Sequence, residues 1–233
     1  MNVIVTTSWD DGHVLDSRLA GMLAERGLPG TFYIAPDNIE FPARDRLGPA
    51  GLSELARRFE LGGHTLTHRR LTTLTPGQAG AEIRDGKARL EDMVQRSVTS
   101  FCYPGGSYRA EHVPLVRQAG FRCARTVRRL STAPVADPFQ MRTTVQARPH
   151  PRDWPSLAAL TRGRPAAAIR CTDWSVLAAT LFDRVLAGGG VFHLWGHSWE
   201  IDQLGHWDRL ARVLDHIARR PGVTYLTNAE LVA

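Results

Sequence analysis

The sequence predicts an α/β fold in which parallel strands close into a barrel. Short apolar runs typical of buried strands alternate along the chain with segments whose apolar residues recur at helical spacing. Six or seven such strand–helix units fit into 233 residues, a length at which an α/β barrel commonly forms one domain. The main polar motifs directly follow predicted strands, at the edge of a parallel sheet where ligands collect. We therefore expect a single domain over residues 1–233.

The first half of the chain alternates strands and helices regularly, with Gly or Pro punctuating the elements. The predicted strands are residues 3–5, 31–34, 99–103 and 121–124, together with an apolar approach through Leu61 that we expect to end in a turn at Gly62 and Gly63. The predicted helices are residues 15–23 and 52–59, a third that begins at Pro76 and runs through Ile83 and Leu90 to Val94, and residues 113–118. Thr75 and Pro76 are expected to cap the third helix.

The second half is less regular. Six prolines between residues 131 and 170, Pro151 among them, indicate long loops around one strand at 141–145. We expect these loops to cover the mouth of the site. Regularity returns with a helix at 174–186, a turn at 188–190, a strand at 191–195, a helix at 207–217 and a strand at 223–226. Thr227 and Glu230 resemble a capping box for a final short helix.

The composition favours a globular protein of the cytoplasm. It is 43% hydrophobic and 22% charged, which indicates neither disorder nor a fibrous class. We expect no membrane span, because no apolar run is long enough, and no export signal is visible at the start. Cys102, Cys123 and Cys171 are an odd number without C-x-x-C spacing, which argues against a disulfide framework and a thiolate zinc site.

The net charge of +6 carries little information about partners. The basic residues are spread along the chain without a basic block or interleaved aromatic residues, so we expect no nucleic-acid partner. The charge gives weak support to an acidic or phosphorylated substrate.

Two adjacent carboxylates, Asp10 and Asp11, follow the first predicted strand and precede Gly12. Because adjacent carboxylates repel, a cation or a shared proton is needed to relieve them. The alternative is a helix cap beside a solvated acid. The pair is therefore a candidate functional site that needs partners from elsewhere in the chain.

His64 and His68 are the candidate partners. Two imidazoles four residues apart can face one metal ion if the segment turns like a helix. With an acid at the end of another strand, they offer one carboxylate and two imidazoles with open coordination positions, as a catalytic metal site requires. We expect one divalent ion, with Zn²⁺ first because nitrogen and oxygen ligands suit it; Ni²⁺ and Co²⁺ also fit.

These motifs resemble those of the polysaccharide deacetylases of the NodB-homology group, carbohydrate esterase family 4. S-W-D-D-G at 8–12 is similar to the family motif T-F-D-D-G, and H-T-L-T-H at 64–68 is similar to H-[ST]-x-x-H. The resemblance implies a distorted (β/α)7 barrel. It implies that Asp11, His64 and His68 bind the metal and that Asp10 is the general base.

The resemblance also implies an activity. Family members are metal-dependent hydrolases that remove an N-acetyl group from an amino sugar of a polysaccharide, oligosaccharide or glycan precursor. An N-acetylated carbohydrate is therefore the expected substrate and partner. The missing export pattern favours a cytoplasmic precursor over finished wall polymer.

The third family motif, R-x-P-x-G, is only partly present at 102–106, because Cys102 stands where an arginine is usual. In the family that arginine orients and tunes the base. Arg142 is our candidate to replace it at the Asp10 carboxylate, the alternative being a surface arginine. In the same motif, Gly105 offers a backbone N–H to a developing oxyanion, and Tyr103 is a candidate substrate contact.

The fifth family motif supplies a histidine that protonates the departing amine, and two residues qualify. A strand needs about five residues to cross a barrel wall, which places His193 within the wall and His197 at the catalytic rim. We expect His197 to be the acid and His193 to be either a buried partner or a core histidine. Trp195 and Trp199 are expected to form an acetyl pocket or to pack on sugar rings.

Two other functions stay open. One is hydrolysis of another non-peptide C–N bond, such as that of a cyclic ureide, on the same barrel. The other is a carbohydrate-binding protein that has lost turnover. The intact acid and histidine motifs oppose that loss, whereas Cys102 keeps it open.

Overall fold

The computed structural model describes residues 2–150, 153–161 and 163–233. Within these ranges eight strands pair in parallel in one sheet. They are β1 (Val3–Asp11), β2 (Thr31–Ile34), β3 (Glu60–Gly63), β4 (Ser100–Cys102), β5 (Cys123–Arg125), β6 (Val145–Gln146), β7 (Gly190–Gly196) and β8 (Val223–Tyr225). Their order is β5-β4-β3-β2-β1-β7-β6, and β8 pairs with the first residues of β1.

A short bridge closes this sheet into a barrel. Arg125, the last residue of β5, pairs in parallel with Met141, and the Met141 N–H donates to the Ala124 carbonyl at 3.0 Å. The same segment continues into β6, which pairs with β7. Seven strands therefore follow one another around a distorted (β/α)7 barrel, which confirms the predicted fold class.

Nine helices surround the barrel within the described ranges. They are α1 (Asp16–Glu25), α2 (Pro49–Ala56), α3 (Pro76–Val94), α4 (His112–Gln118), α5 (Trp154–Leu160), α6 (Pro165–Arg170), α7 (Trp174–Gly188), α8 (Ser198–Gln203) and α9 (Trp207–Ile217). Strand and helix residues share one apolar core. Thr75 caps α3 through a reciprocal capping box with Gln78, as predicted. None of the described helices is both long and apolar enough to cross a membrane.

The C-terminal segment fills the amino end of the barrel. The Asn228 side chain accepts a hydrogen bond from Thr6 Oγ1 at 2.8 Å and donates one to the Tyr33 hydroxyl at 2.9 Å. Its backbone N–H donates to Thr31 Oγ1 at 2.9 Å. Because this end is closed by the chain itself, the carboxyl end of the strands is the open face.

The predicted turn at Gly62 and Gly63 is wrong, because both residues lie in β3. A Cβ atom on Gly62 would lie 2.4 Å from the Tyr33 ring, and one on Gly63 would lie 2.7 Å from the Phe121 ring. The two glycines are therefore explained by close packing inside and outside the barrel wall.

The long loops predicted between residues 131 and 170 contain two helices, α5 and α6. Pro155 and Pro165 lie in the first turns of these helices, where a missing N–H and a fixed φ are tolerated. Prolines in this region therefore start helices as well as interrupting them. Pro151 lies outside the described residues.

Candidate active site

The three predicted metal ligands meet at the carboxyl edge of the sheet. Asp11 ends β1, and His64 and His68 belong to the loop after β3. Asp11 Oδ1 lies 3.1 Å from His68 Nε2 and 3.6 Å from His64 Nε2. Ligand atoms bound at about 2.0–2.2 Å to one ion lie roughly 3–4 Å apart. The spacing of the three side chains therefore fits a single divalent ion.

The chemistry of the donor atoms fits such an ion as well. Asp11 Oδ1 is buried and has no hydrogen-bond partner among the described residues, which is costly for a carboxylate oxygen unless a cation faces it. His64 Nδ1 lies 2.7 Å from the Cys102 carbonyl. Because a carbonyl only accepts, this nitrogen carries the proton and Nε2 keeps its lone pair for a metal.

Burial and neighbouring charges set the protonation states of two of the ligands, His64 and Asp11. Burial, with a further contribution from His68, lowers the pKa of His64 to about 4, so this ring is neutral near pH 7. Burial opposes ionisation of Asp11, but the neighbouring histidines, His197 foremost, hold the pKa of Asp11 well below its usual range. A neutral imidazole and an ionised carboxylate are the forms that bind a cation.

Helix α3 holds the histidine loop through the loop backbone. The Glu82 carboxylate accepts from the backbone N–H groups of Leu66 at 3.1 Å and Thr67 at 2.9 Å, and from the Thr67 hydroxyl at 2.6 Å. One turn later, a Cβ atom on Gly86 would lie 2.5 Å from Leu66 N. His68 itself has φ of +67°, a conformation that non-glycine residues seldom adopt. The loop geometry therefore depends on this helix face.

Asp10, the predicted base, is paired with Arg125 of β5. Both carboxylate oxygens accept from the Arg125 guanidinium, and the Cys102 thiol donates to Oδ2 at 3.7 Å. The guanidinium is fully buried, 4.5 Å from the centre of the Trp195 ring and 5.3 Å from that of Tyr33. These contacts fix the orientation of the Asp10 carboxylate.

The prediction that Arg142 reaches Asp10 is therefore wrong. Arg142 is exposed between the buried residues Met141 and Thr143, so its side chain leaves the barrel wall. Arg125 was missed because the strand was predicted to end one residue earlier. Side chains alternate between the two faces of β5, so Arg125 lies on the same face as Cys123. An arginine at the carboxyl end of a strand is the feature of the sequence that points to Arg125.

His197 lies at the rim, immediately before α8. Its Nε2 is 4.0 Å from Asp11 Oδ2, and its Nδ1 is 3.2 Å from Glu200 Oε2. The other Glu200 oxygen accepts from Arg148 at 2.6 Å. Burial opposes the charged ring, but Asp11, Glu200 and Asp10 together raise the pKa of His197 to about 9. The ring is therefore protonated near pH 7.

His193 lies inside the barrel. Its Nε2 is 2.8 Å from Ser8 Oγ, and the side chain is buried. Burial and the nearby Arg125 cation hold the pKa of His193 well below its usual range, so this ring stays neutral. The structure thus separates the two histidines into one at the rim and one in the interior.

Two of the predicted substrate contacts are enclosed in the protein. Tyr103 is fully buried, its hydroxyl donates to the Phe139 carbonyl at 3.1 Å, and its ring stacks on Tyr108. Trp195 is buried over Arg125. Because neither ring offers a free face to a sugar, the predictions of a substrate contact at Tyr103 and of sugar packing at Trp195 are wrong.

The other two predicted contacts lie at the open face. Gly105 is exposed with φ of +57°, and a Cβ atom there would lie 3.3 Å from Arg70 Nε. Trp199 is half-buried, with its ring centre 5.8 Å from that of Phe41 and 5.4 Å from that of His197. Phe41 was not predicted, because nothing in its local sequence marks it.

A family model for polysaccharide deacetylase matches residues 2–124, which is more than half of the chain. This chain belongs to the polysaccharide deacetylase family. The match confirms the family that the D-D-G and H-x-x-x-H motifs indicated. It ends one residue before Arg125, so Arg125, His197 and Glu200 lie beyond it.

Solved structures share the fold at low sequence identity. A candidate polysaccharide deacetylase from Mycobacterium smegmatis has a TM-score of 0.72 and 17% identity, over 99% of this chain and 89% of that one. A family 4 carbohydrate esterase from Streptomyces lividans in complex with acetate has a TM-score of 0.59 and 16% identity, over 96% and 91%.

A Streptococcus pyogenes deacetylase in complex with acetate has a TM-score of 0.53 and 15% identity, over 59% of this chain and 62% of that one. The alignment therefore spans less than two thirds of that protein. No curated protein matches this sequence.

Proposed function

We propose that this deacetylase-family protein is a metal-dependent hydrolase that removes an N-acetyl group from an amino sugar. The proposal rests on the side chains that surround the Asp11 carboxylate. Two imidazole nitrogens lie within 3.6 Å of one of its oxygens, and a protonated histidine lies 4.0 Å from the other. With the adjacent Asp10, this set contains the ligands, base and acid that amide hydrolysis needs.

The roles of the residues follow from their contacts. Asp11, His64 and His68 would hold the ion, which when bound supplies a positive charge that polarises the amide carbonyl and acidifies water. Asp10 accepts the proton of the attacking water. Arg125 holds the Asp10 carboxylate in one orientation, so that little reorganisation is needed when the proton moves.

Cleavage of the C–N bond needs a second proton transfer. His197 donates its Nε2 proton to the departing nitrogen. The contact between Glu200 and Nδ1 holds the ring so that Nε2 faces Asp11. The N–H of Gly105 is the proposed donor to the carbonyl oxygen as negative charge develops there. Acetate and the free amino sugar are the products.

The substrate class is supported by the family and by the aromatic wall of Trp199 and Phe41, which suits an acetyl group or a sugar ring. The mixed nitrogen and oxygen ligands favour zinc, and nickel or cobalt also suit them. The cysteines Cys102, Cys123 and Cys171 are free and buried, which supports our proposal of a reducing, cytoplasmic location.

The test is acetate release from N-acetylated oligosaccharides and sugar nucleotides, before and after chelation. We expect release that a chelator abolishes and added Zn²⁺ restores. Asp10→Asn should retain the metal and lose about 10²- to 10⁴-fold in kcat. Binding of these sugars by the metal-loaded protein without acetate release would support a binding protein instead. Cleavage of a cyclic ureide without acetate release from sugars would support the other hydrolase.

A further inference from the structure

The two carboxylate oxygens of Asp11 have different surroundings. Oδ1 faces His64 and His68 and has no hydrogen-bond partner among the described residues. Oδ2 accepts a hydrogen bond from the indole N–H of Trp199 at 2.8 Å. The side chain therefore presents one bare oxygen and one occupied oxygen.

The Trp199 ring is held in place by its neighbours. It packs edge-on against Phe41 and at a tilt against His197. The residue before it, Ser198, donates to the buried Asp16 carboxylate at 2.6 Å, which anchors the start of α8. The indole N–H is thus directed at Asp11 by fixed contacts of the protein alone.

We propose that Trp199 is a positioning residue for Asp11, which makes that carboxylate bind the metal through Oδ1 only. A carboxylate can bind a cation through one oxygen or through both. A hydrogen bond to Oδ2 fixes the plane of the carboxylate and weakens Oδ2 as a ligand. This inference rests on the proposed function, because it takes Asp11 to be a metal ligand.

The consequence concerns the coordination positions left for the reaction. Two imidazoles and one carboxylate oxygen fill three positions, and a catalytic site keeps the remainder open for water and substrate. A second oxygen from Asp11 would fill one of these. Trp199 would therefore preserve an open position as well as stabilise the ligand.

Trp199→Phe tests this role, because it keeps an aromatic ring and removes only the donor. Trp207→Phe is the matched control: the Trp207 indole N–H also donates to a carboxylate, that of Asp202, at 2.8 Å, but Asp202 is not among the proposed ligands. Zinc affinity is measured by titrating the metal-free proteins against a competing chelator, without substrate. Circular dichroism and thermal melting check that each variant is folded.

We expect Trp199→Phe to weaken zinc binding about 10- to 100-fold, the usual cost of losing a group that orients a metal ligand. Trp207→Phe should stay within about twofold of wild type. In the cobalt-substituted protein, Trp199→Phe should weaken the visible absorption, because bidentate Asp11 raises the coordination number. Unchanged zinc affinity together with an unchanged cobalt spectrum would overturn the proposal.

Failure of this inference and failure of the proposed function are distinguishable. If His64→Ala abolishes zinc binding while Trp199→Phe changes neither the zinc affinity nor the cobalt spectrum, the role of Trp199 alone is rejected. Zinc binding that both variants weaken, in a protein that releases no acetate, would reject the proposed function and retain the role of Trp199. If His64→Ala does not weaken zinc binding, both are rejected.

Discussion

The two sides of the candidate site are held by different kinds of contact. On the ligand side, the loop from His64 to His68 is fixed through its backbone by Glu82 and by close approach to Gly86. On the acid side, His197 is fixed through charged side chains, by Glu200 and in turn by Arg148. Close backbone packing tolerates little added volume, whereas ion pairs respond to charge and pH. The ligand side should therefore be sensitive to packing and the acid side to charge.

The largest effect on metal content and activity is expected from removing both histidine ligands. His64→Ala combined with His68→Ala should reduce the metal from about one ion per chain to none, since one carboxylate alone cannot hold it. Acetate release should fall below detection. Elemental analysis after dialysis measures the first effect, and wild type carried through the same dialysis is the control. Full metal content in the double variant would contradict the proposed ligands.

Loss of the proton donor His197 should leave the metal bound. His197→Gln removes the proton donor and should lower kcat by about 10²- to 10⁴-fold with unchanged zinc content. His193→Gln, the matched control in the barrel interior, should mainly lower the melting temperature through its lost contact with Ser8. If the His193 variant is folded and loses more activity than the His197 variant, the choice of acid is wrong.

Gly86→Ala tests whether the ligand side depends on packing. A methyl group there would lie 2.5 Å from Leu66 N, so the histidine loop must shift. We expect the free energy of unfolding to fall by about 1–3 kcal/mol and zinc affinity to fall about tenfold. Both quantities are measured on the same preparation, by denaturant titration and chelator competition.

Gly80→Ala, on the same helix, is the control for Gly86→Ala. The nearest atom to its Cβ would be 3.9 Å away, so the substitution adds helix propensity without a clash. It should leave the zinc affinity unchanged and keep or raise the stability. Equal effects of the two substitutions on zinc affinity would show that the contact with Gly86 is not what holds the loop.

The smallest effect is expected from neutralising Glu200. This carboxylate helps to raise the pKa of His197 to about 9, and an acid catalyst is active only while protonated. Glu200→Gln should therefore lower the pKa of His197 and move the basic limb of the kcat profile to lower pH. The acidic limb should stay in place. If Glu200→Gln lowers the rate but does not move the basic limb, Glu200 has a structural role and does not set the pKa of His197.

The ligand side was more predictable from sequence than the rest of the site. Asp10 and Asp11 are adjacent, and His64 and His68 are four residues apart, so local spacing marks each motif, and the family resemblance brings the two motifs together in one expected site. The choice of His197 for the rim came from counting residues along one strand. In these cases a short segment already determines which side chains share an edge.

Long-range contacts were not predictable in the same way. Arg125 reaches Asp10 across 115 sequence positions, and its place at the end of a strand does not by itself show that Arg125 rather than Arg142 supplies the cation. Tyr103 and Trp195 were misassigned because a motif gives the position of an aromatic residue without the packing that encloses its ring. The barrel itself was predicted because strand–helix alternation is a local signal.

The position of β1 in the sheet has a consequence for how the chain folds. Val3 pairs with Gly190 of β7 and with Val223 of β8, so both edges at the start of β1 stay open until the last two strands of the sheet have been synthesised. Contacts this distant in sequence form slowly, and the unpaired N–H and C=O groups along the open edge of an apolar strand invite pairing with other chains. During synthesis the strand that carries Asp10 and Asp11 is therefore exposed to aggregation until β7 and β8 have formed, and a chaperone that covers its open edges would lower that risk.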